Sequence, residues 1–233
     1  MTALILQGRL DSSRLPGKSL LPLGGEALIF RVMEALKTLP CDLHILACPE
    51  DCLIPFGPLA ERAGFEIFGG PKEDVLGRFC AALRHFKADR LIRATGDNPF
   101  VFADAAACID REGAALKADY AGYSGLPHGA GVEALSAEAL FRAEREARDA
   151  PDREHVCPYL YGHPGLFLLH RPLAPLKWQG PVLRLTVDTR ADYEAAQALY
   201  EALDGEAPGE RRYRGETILE ALRRSGPLGR TLP

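Results

Sequence analysis

Short apolar runs alternate with amphipathic helical patterns from the first residues onward, and this alternation limits the fold more than any other feature of the chain. TALILQ, LHILACP, FEIF and RLIRATGD read as strands. Between them GGEALIFRVMEALKTL, the stretch through PLAERAG, and EDVLGRFCAALRHF read as turns and helices, the last with Val75, Leu76, Phe79 and Leu83 on one face. A strand–helix series of this kind builds a mostly parallel sheet with helices on both faces, a three-layer α/β/α arrangement. Further along, the pattern predicts a helix after Asp104, strands in ADYAGYS and GVEAL, a helix from Ser136, a strand at VLRLTVD, and helices through RADYEAAQALYEAL and GETILEALRR on either side of a Gly/Pro-rich link. REHVCPYLYGHPGLFLLHRPL is less regular, and the region around 151–176 is expected to leave the body as an arm. No linker divides the chain, so residues 1–233 are expected to form one domain.

At 233 residues and 47% hydrophobic composition the chain can bury a full core. Its formal net charge of -4 supplies no general basic field, which argues against extended nucleic-acid binding and leaves any phosphate site local. The apolar runs are shorter than the roughly 20 residues of a membrane helix, and the N-terminus lacks a signal-peptide pattern, so no membrane contact and a cytoplasmic location are expected. Cys41, Cys48, Cys52, Cys80, Cys108 and Cys157 form no C-x-x-C pair, and free, mostly buried thiols are expected.

In an open α/β sheet, ligands bind outside the carboxyl ends of the strands. The first such exit is QGRLDSSRLPGKSLLPLGG, where Gln7 and Gly8 precede Arg9, Ser12, Ser13, Arg14 and Lys18. Glycines let a backbone approach phosphates, amides can form an anion nest, and cations neutralise charge on a departing pyrophosphate. The spacing is neither a Walker loop nor G-x-G-x-x-G, and on composition alone a solvated basic loop accounts for it as well. RATGDNP brings Asp97 and Asn98 to another strand exit, and LTVDTR brings Asp188. Two carboxylates meeting from distant segments suit Mg²⁺ or Mn²⁺ beside phosphate, although a lone Asp at a strand end more often caps a turn or helix.

QGRLDSSRLPGK resembles the QARxxSSRLPGK signature of the CMP-sugar synthetase-like cytidylyltransferases, particularly the spore-coat-polysaccharide type, similar in fold to the CMP-sialate and CMP-KDO synthetases. The resemblance implies a Rossmann-like nucleotidyltransferase fold. It also implies Arg9 and Lys18 as phosphate ligands, with Ser12, Ser13 and Arg14 supporting them. Gly8 stands where that family usually has Ala, a change expected to be tolerated. TGDNP and TVDTRAD match the family's TGDxP and TVDTxxD, which implies Asp97 and Asp188 as metal ligands, and Asp97 with Arg9 and Lys18 as the catalytic set. FGGPKEDVLGRF resembles GSEDDVLGRY, and Gly70, Asp74 and Arg78 become candidates for the base pocket, although helix-opening acidic residues suffice to explain the segment locally.

REHVCPYLY resembles REHVTPYIY, which makes Arg153, Glu154, His155 and Tyr159 candidates for acceptor contacts or for a dimer arm. LPHGAGVEAL departs from PDGLDVEVF: His128 and Gly131 replace two Asp residues while Glu133 remains, and the loss of two carboxylates suits an anionic acceptor better. Asn98, His128, Glu133 and Arg184 complete the candidate acceptor set. The expected reaction joins CMP from CTP to a sugar or sugar acid, in a homodimer. A sugar-1-phosphate nucleotidyltransferase, using Arg153 and Arg184 for the second phosphate, and a non-catalytic nucleotide-binding module are the alternatives.

Overall fold

The computed structural model describes residues 1–206 and 209–224, so part of the Gly/Pro-rich link and the last residues of the 1–233 span lie outside the described residues. In chain order the elements are β1 (Thr2–Gln7), β2 (Pro22–Leu23), β3 (Glu26–Ala27), α1 (Leu28–Lys37), β4 (Leu43–Pro49), α2 (Leu53–Ala63), β5 (Glu66–Gly70), α3 (Val75–Phe86) and β6 (Arg90–Thr95). They continue with α4 (Ala103–Leu116), β7 (Tyr120–Ala121), β8 (Glu133–Ser136), α5 (Ala137–Glu146), α6 (Ala150–His155), α7 (Pro158–Gly162), β9 (Leu169–His170), α8 (Arg190–Glu206) and α9 (Gly215–Arg224).

Among the described residues seven strands form one sheet in the order β5-β4-β1-β6-β8-β7-β9. The first four are mutually parallel, and β8 runs antiparallel to both neighbours. The chain leaves β1 toward β4 and β5, then returns to the other side of β1 with β6, so the sheet's switch point lies where Gln7 pairs with Thr95. A crevice opens there because successive connections turn away in opposite directions.

β1 sits at the centre, and its alternation divides the interior. Leu4 and Leu6 face the layer of α1, α2, α4, α8 and α9, while Ala3 and Ile5 face α3, α5 and the 156–167 segment; all four are fully buried. Full burial of such a Leu or Ile side chain contributes about 1.5–3 kcal/mol, so this strand anchors both layers. Helix starts follow local chemistry: Asp74 accepts from Gly77 N at 2.9 Å to cap α3, and Ser136 accepts from Ala139 N at 3.1 Å to cap α5. All six cysteines are free, four buried and two half-buried. Among the described residues no helix is long and apolar enough to cross a membrane.

One expectation changes. VLRLTVD is not a strand but an extended segment whose backbone bonds go to loops: Leu185 N donates to His128 O at 2.7 Å and Val187 N to Asp97 O at 2.8 Å. Its neighbours are turns, so no ladder can continue. Within the 151–176 segment, Val156, Cys157 and Leu160 are at most 1% exposed and Phe167 is 6% exposed, packed in the core layer of α3 and α5. Its outer side carries Leu166, Leu168, Leu173 and Leu176, all exposed.

Candidate active site

Beyond Gln7 the chain turns at Gly8, where an added Cβ would lie 2.7 Å from Ile29 Cδ1, 3.1 Å from Leu46 and 3.2 Å from Phe56. Core side chains thus fill the space that an Ala there would use. The loop folds back through Gly17, which takes a left-handed φ of 66°, into a short 3₁₀ turn at Lys18–Leu20. Ser19 Oγ pins the two ends of the loop together by donating to Arg9 O at 2.8 Å. The turn carries Lys18 inward until the residue is only 7% exposed.

Lys18 Nζ donates to Asp97 Oδ2 at 3.0 Å, Asp188 Oδ1 at 3.0 Å and Val187 O at 2.7 Å. Asp97 reaches it from the turn after β6, where Gly96 N donates to Gln7 O at 2.8 Å and locks that turn against the end of β1. Asp188 reaches it from the extended segment, steadied by a capping box at the start of α8: Thr189 N donates to Asp192 Oδ2 at 2.8 Å while Asp192 N donates to Thr189 Oγ1 at 3.2 Å. Asp192 Oδ2 also accepts from Asp188 N at 3.0 Å, so it orients the neighbouring carboxylate. Burial alone would push the Asp188 carboxyl up, but its hydrogen bond and attraction to Lys18, with Arg14 and Arg184 behind, hold it below its ordinary value.

Lys18, Asp97 and Asp188 line a cleft of about 410 Å³ together with Gln7, Arg9, Arg14, Asn98, His128, Glu154 and His155. Glu154 and His155 are brought to the cleft from α6, and Glu154 pairs there with Arg9 at 3.7 Å. Immediately after them Val156 adopts φ 71° and ψ −55°, with Cys157 N donating to His155 O at 2.8 Å. This is a γ-turn, strained for a β-branched residue, and it turns the chain from the cleft into the core. Asn98 and His128 also border a second cavity of about 310 Å³ that contains Glu133, Tyr120, Tyr123 and a glycine-rich wall.

Other predicted residues lie outside this cleft. Ser12 and Ser13 line an adjoining hollow with Arg9, and Gly70 borders a further depression with Lys72 and Asp51. Asp74 is engaged by its capping bond and by Arg153, whose guanidinium also donates to Glu144 O at 3.0 Å. Arg78 is 1% exposed and donates to Pro71 O, holding the turn after β5. Tyr159 stacks on His163 at 4.1 Å and donates to Glu146 at 2.9 Å. Arg184 pairs with Asp188 and Asp192.

The structure adds Arg93, Thr95, Ser19 and Thr186 to the cleft lining. Arg93 borders both cavities and pairs with Glu133, which also accepts from Tyr120 Oη at 2.9 Å and from Cys157 Sγ at 3.3 Å. The signal in the sequence was an arginine inside the apolar run RLIRAT, since a charge in a central strand needs a partner or a site.

Comparison with known proteins follows the same lines. The family described as cytidylyltransferase matches residues 3–214. The spore coat polysaccharide biosynthesis protein SpsF of Bacillus subtilis is 34% identical over 213 residues, covering 88% of each chain. A cytidylyltransferase from Leptospira borgpetersenii superposes with a TM-score of 0.87 at 20% identity, over 100% of this chain and 98% of that one. A CMP:2-keto-3-deoxy-manno-octonic acid synthetase solved in complex with CTP superposes with a TM-score of 0.67 at 17% identity, over 86% and 98% respectively, and both likenesses are of fold. With the family pattern spanning the sheet, the loop after β1 and both carboxylate turns, this chain belongs to the cytidylyltransferases.

Proposed function

We propose that the chain transfers CMP from CTP to a hydroxyl of a sugar or sugar-acid acceptor and releases pyrophosphate. The carrying observation is convergence: Arg9, Arg14 and Lys18 from one loop meet Asp97 and Asp188 from two distant segments in a single cleft at the switch point of the sheet. That cleft adjoins a second cavity in which Arg93 is already matched by Glu133, leaving room for a sugar ring without an uncompensated cation for a second phosphate. This favours a hydroxyl acceptor over a sugar 1-phosphate.

Arg9, Arg14 and Lys18 would hold the triphosphate and stabilise the charge that grows on the leaving pyrophosphate. The acceptor oxygen attacks the α-phosphorus in line, the bond to the β-phosphate breaks, and the hydroxyl proton passes to solvent. Asn98 and His128, at the junction of the two cavities, would position the acceptor. The donor set suits a hard divalent cation, because Asp97 and Asp188 offer carboxylate oxygens to one point, each 3.0 Å from the same ammonium. Among the described residues no group of three or more His, Cys, Asp or Glu could hold a metal ion, so phosphate oxygens and water would complete its shell. When bound, Mg²⁺ or Mn²⁺ would neutralise charge on the reacting phosphates.

The base would sit over the ends of β4 and β5, near Gly70, with Arg78 holding that turn from behind and Asp74 capping the helix that follows it. Residues 1–233 would act as one catalytic unit in a cytoplasmic homodimer, supported by the exposed Leu166, Leu168, Leu173 and Leu176. Pyrophosphate release with each of CTP, UTP, GTP and ATP, against sugar acids, neutral sugars and sugar phosphates with and without Mg²⁺, tests the assignment. Release with no acceptor in the panel, or only with sugar phosphates, would overturn it.

A further inference from the structure

Lys18 stands between the two carboxylates that would hold the cation. Its three bonds, to Asp97, Asp188 and Val187 O, use all three N–H donors of an ammonium, and the side chain is only 9% exposed. Asp188 is engaged further by Arg14 at 3.1 Å on one oxygen and by Arg184 on the other, and Arg184 reaches Asp192 at 3.3 Å. Asp97, Asp188 and Asp192 are thus matched one for one by Lys18, Arg14 and Arg184. A divalent cation arriving alone meets no net negative charge and must separate a hydrogen-bonded ammonium from both of its ligands. A triphosphate changes that balance, because its oxygens offer Lys18 and Arg14 charged acceptors in place of the carboxylates and bring several negative charges with them.

We propose that Lys18 is the resident counter-ion of the cation seat, so that the seat accepts a divalent cation only when a nucleoside triphosphate draws Lys18 off Asp97 and Asp188. The proposal rests on the nucleotide assignment of the cleft. One movement then places the ammonium on phosphate and frees the carboxylates. By linkage the coupling is reciprocal: cation raises nucleotide affinity by the factor through which nucleotide raises cation affinity.

Mn²⁺ alone, followed by electron paramagnetic resonance, tests this without turnover. Lys18→Met keeps the length of the side chain and removes its charge, and in the absence of nucleotide it is expected to bind one Mn²⁺ at least about tenfold more tightly than wild type. That gain should vanish in Lys18→Met/Asp97→Asn. Should Lys18→Met fail to fold, wild type and Asp97→Asn carry the test, since both should then bind Mn²⁺ equally weakly without nucleotide. Tight Mn²⁺ binding by wild type alone that is lost in Asp97→Asn, or no gain in folded Lys18→Met, overturns the proposal. Failure of the nucleotide assignment shows separately, as no thermal stabilisation of wild type by CTP with Mn²⁺, and leaves the Mn²⁺-only comparison unaffected.

Discussion

The ammonium of Lys18 lies 3.0 Å from the carboxylate of Asp97, which ties the loop leaving β1 to the turn leaving β6 across the switch point of the sheet. Lys18→Met, which removes one charge-assisted hydrogen bond to phosphate, and Asp97→Asn, which removes one charge from the cation seat, are each expected to slow pyrophosphate release by roughly one to two orders of magnitude. Because the pair is formed without ligand, both variants should also lose about 1–3 kcal/mol of folding stability. Turnover and denaturant midpoints measured on the same preparations check this, and near-wild-type turnover in both would sink the mechanism.

Nucleotide preference is the second expected outcome. CTP with Mg²⁺ at about 100 times its dissociation constant should add roughly 2.7 kcal/mol of stability. Thermal melts with the four triphosphates are the check, and a larger shift with ATP or GTP would remove the cytidine assignment.

Glu133 neutralises Arg93 between the two cavities, with side-chain exposures of 21% and 14%. Glu133→Gln leaves that guanidinium without its counter-charge and should cost about 3 kcal/mol, near the lower end for breaking a buried pair because neither group is wholly dry. The acceptor KM should rise more than the KM for CTP. Urea titration and steady-state kinetics measure the two effects.

Asp192 offers a pH signature. Burial opposes its ionisation, but hydrogen bonds from Thr189 and Asp188, together with Arg184, outweigh burial and hold its carboxyl below the ordinary value. A carboxyl depressed in the folded state stabilises above its unfolded pKa and loses that contribution as pH falls through the folded value. Asp192→Asn should therefore be less stable than wild type by about 1–2 kcal/mol at pH 7. The gap should close below the ordinary carboxylate range. A gap that stays constant down to pH 2 would assign the effect to shape alone.

The outer side of the 151–176 segment supplies the last expectation. Leu168 is 55% exposed and Leu176 86%, so Leu168→Glu/Leu176→Glu should leave folding within about 0.5 kcal/mol of wild type while converting a dimer to monomers. Light scattering across micromolar concentrations decides it, and a monomeric wild type would rule the dimer out.

The sequence by itself determined the βα alternation, the first strand and the identity of the loop that follows it, because strand and helix periods and a Gly- and cation-rich turn are local properties, whereas the central place of β1 was decided by the pairings. It also put Asp97 at the end of a strand, where the run RLIRAT stops at a Gly-Asp turn. Tertiary structure decided what each charge meets. Arg153 and Asp74 are 79 residues apart and hold each other outside the cleft, while Lys18 and Asp188 are 170 apart and meet inside it. LRLTVD has the composition of a strand, yet the turns at His128 and Asp97 take its hydrogen bonds, so Asp188 arrives on an extended segment instead. Local pattern reports which face of an element is apolar, whereas the partner of a charged side chain depends on which distant segment the packed core delivers beside it.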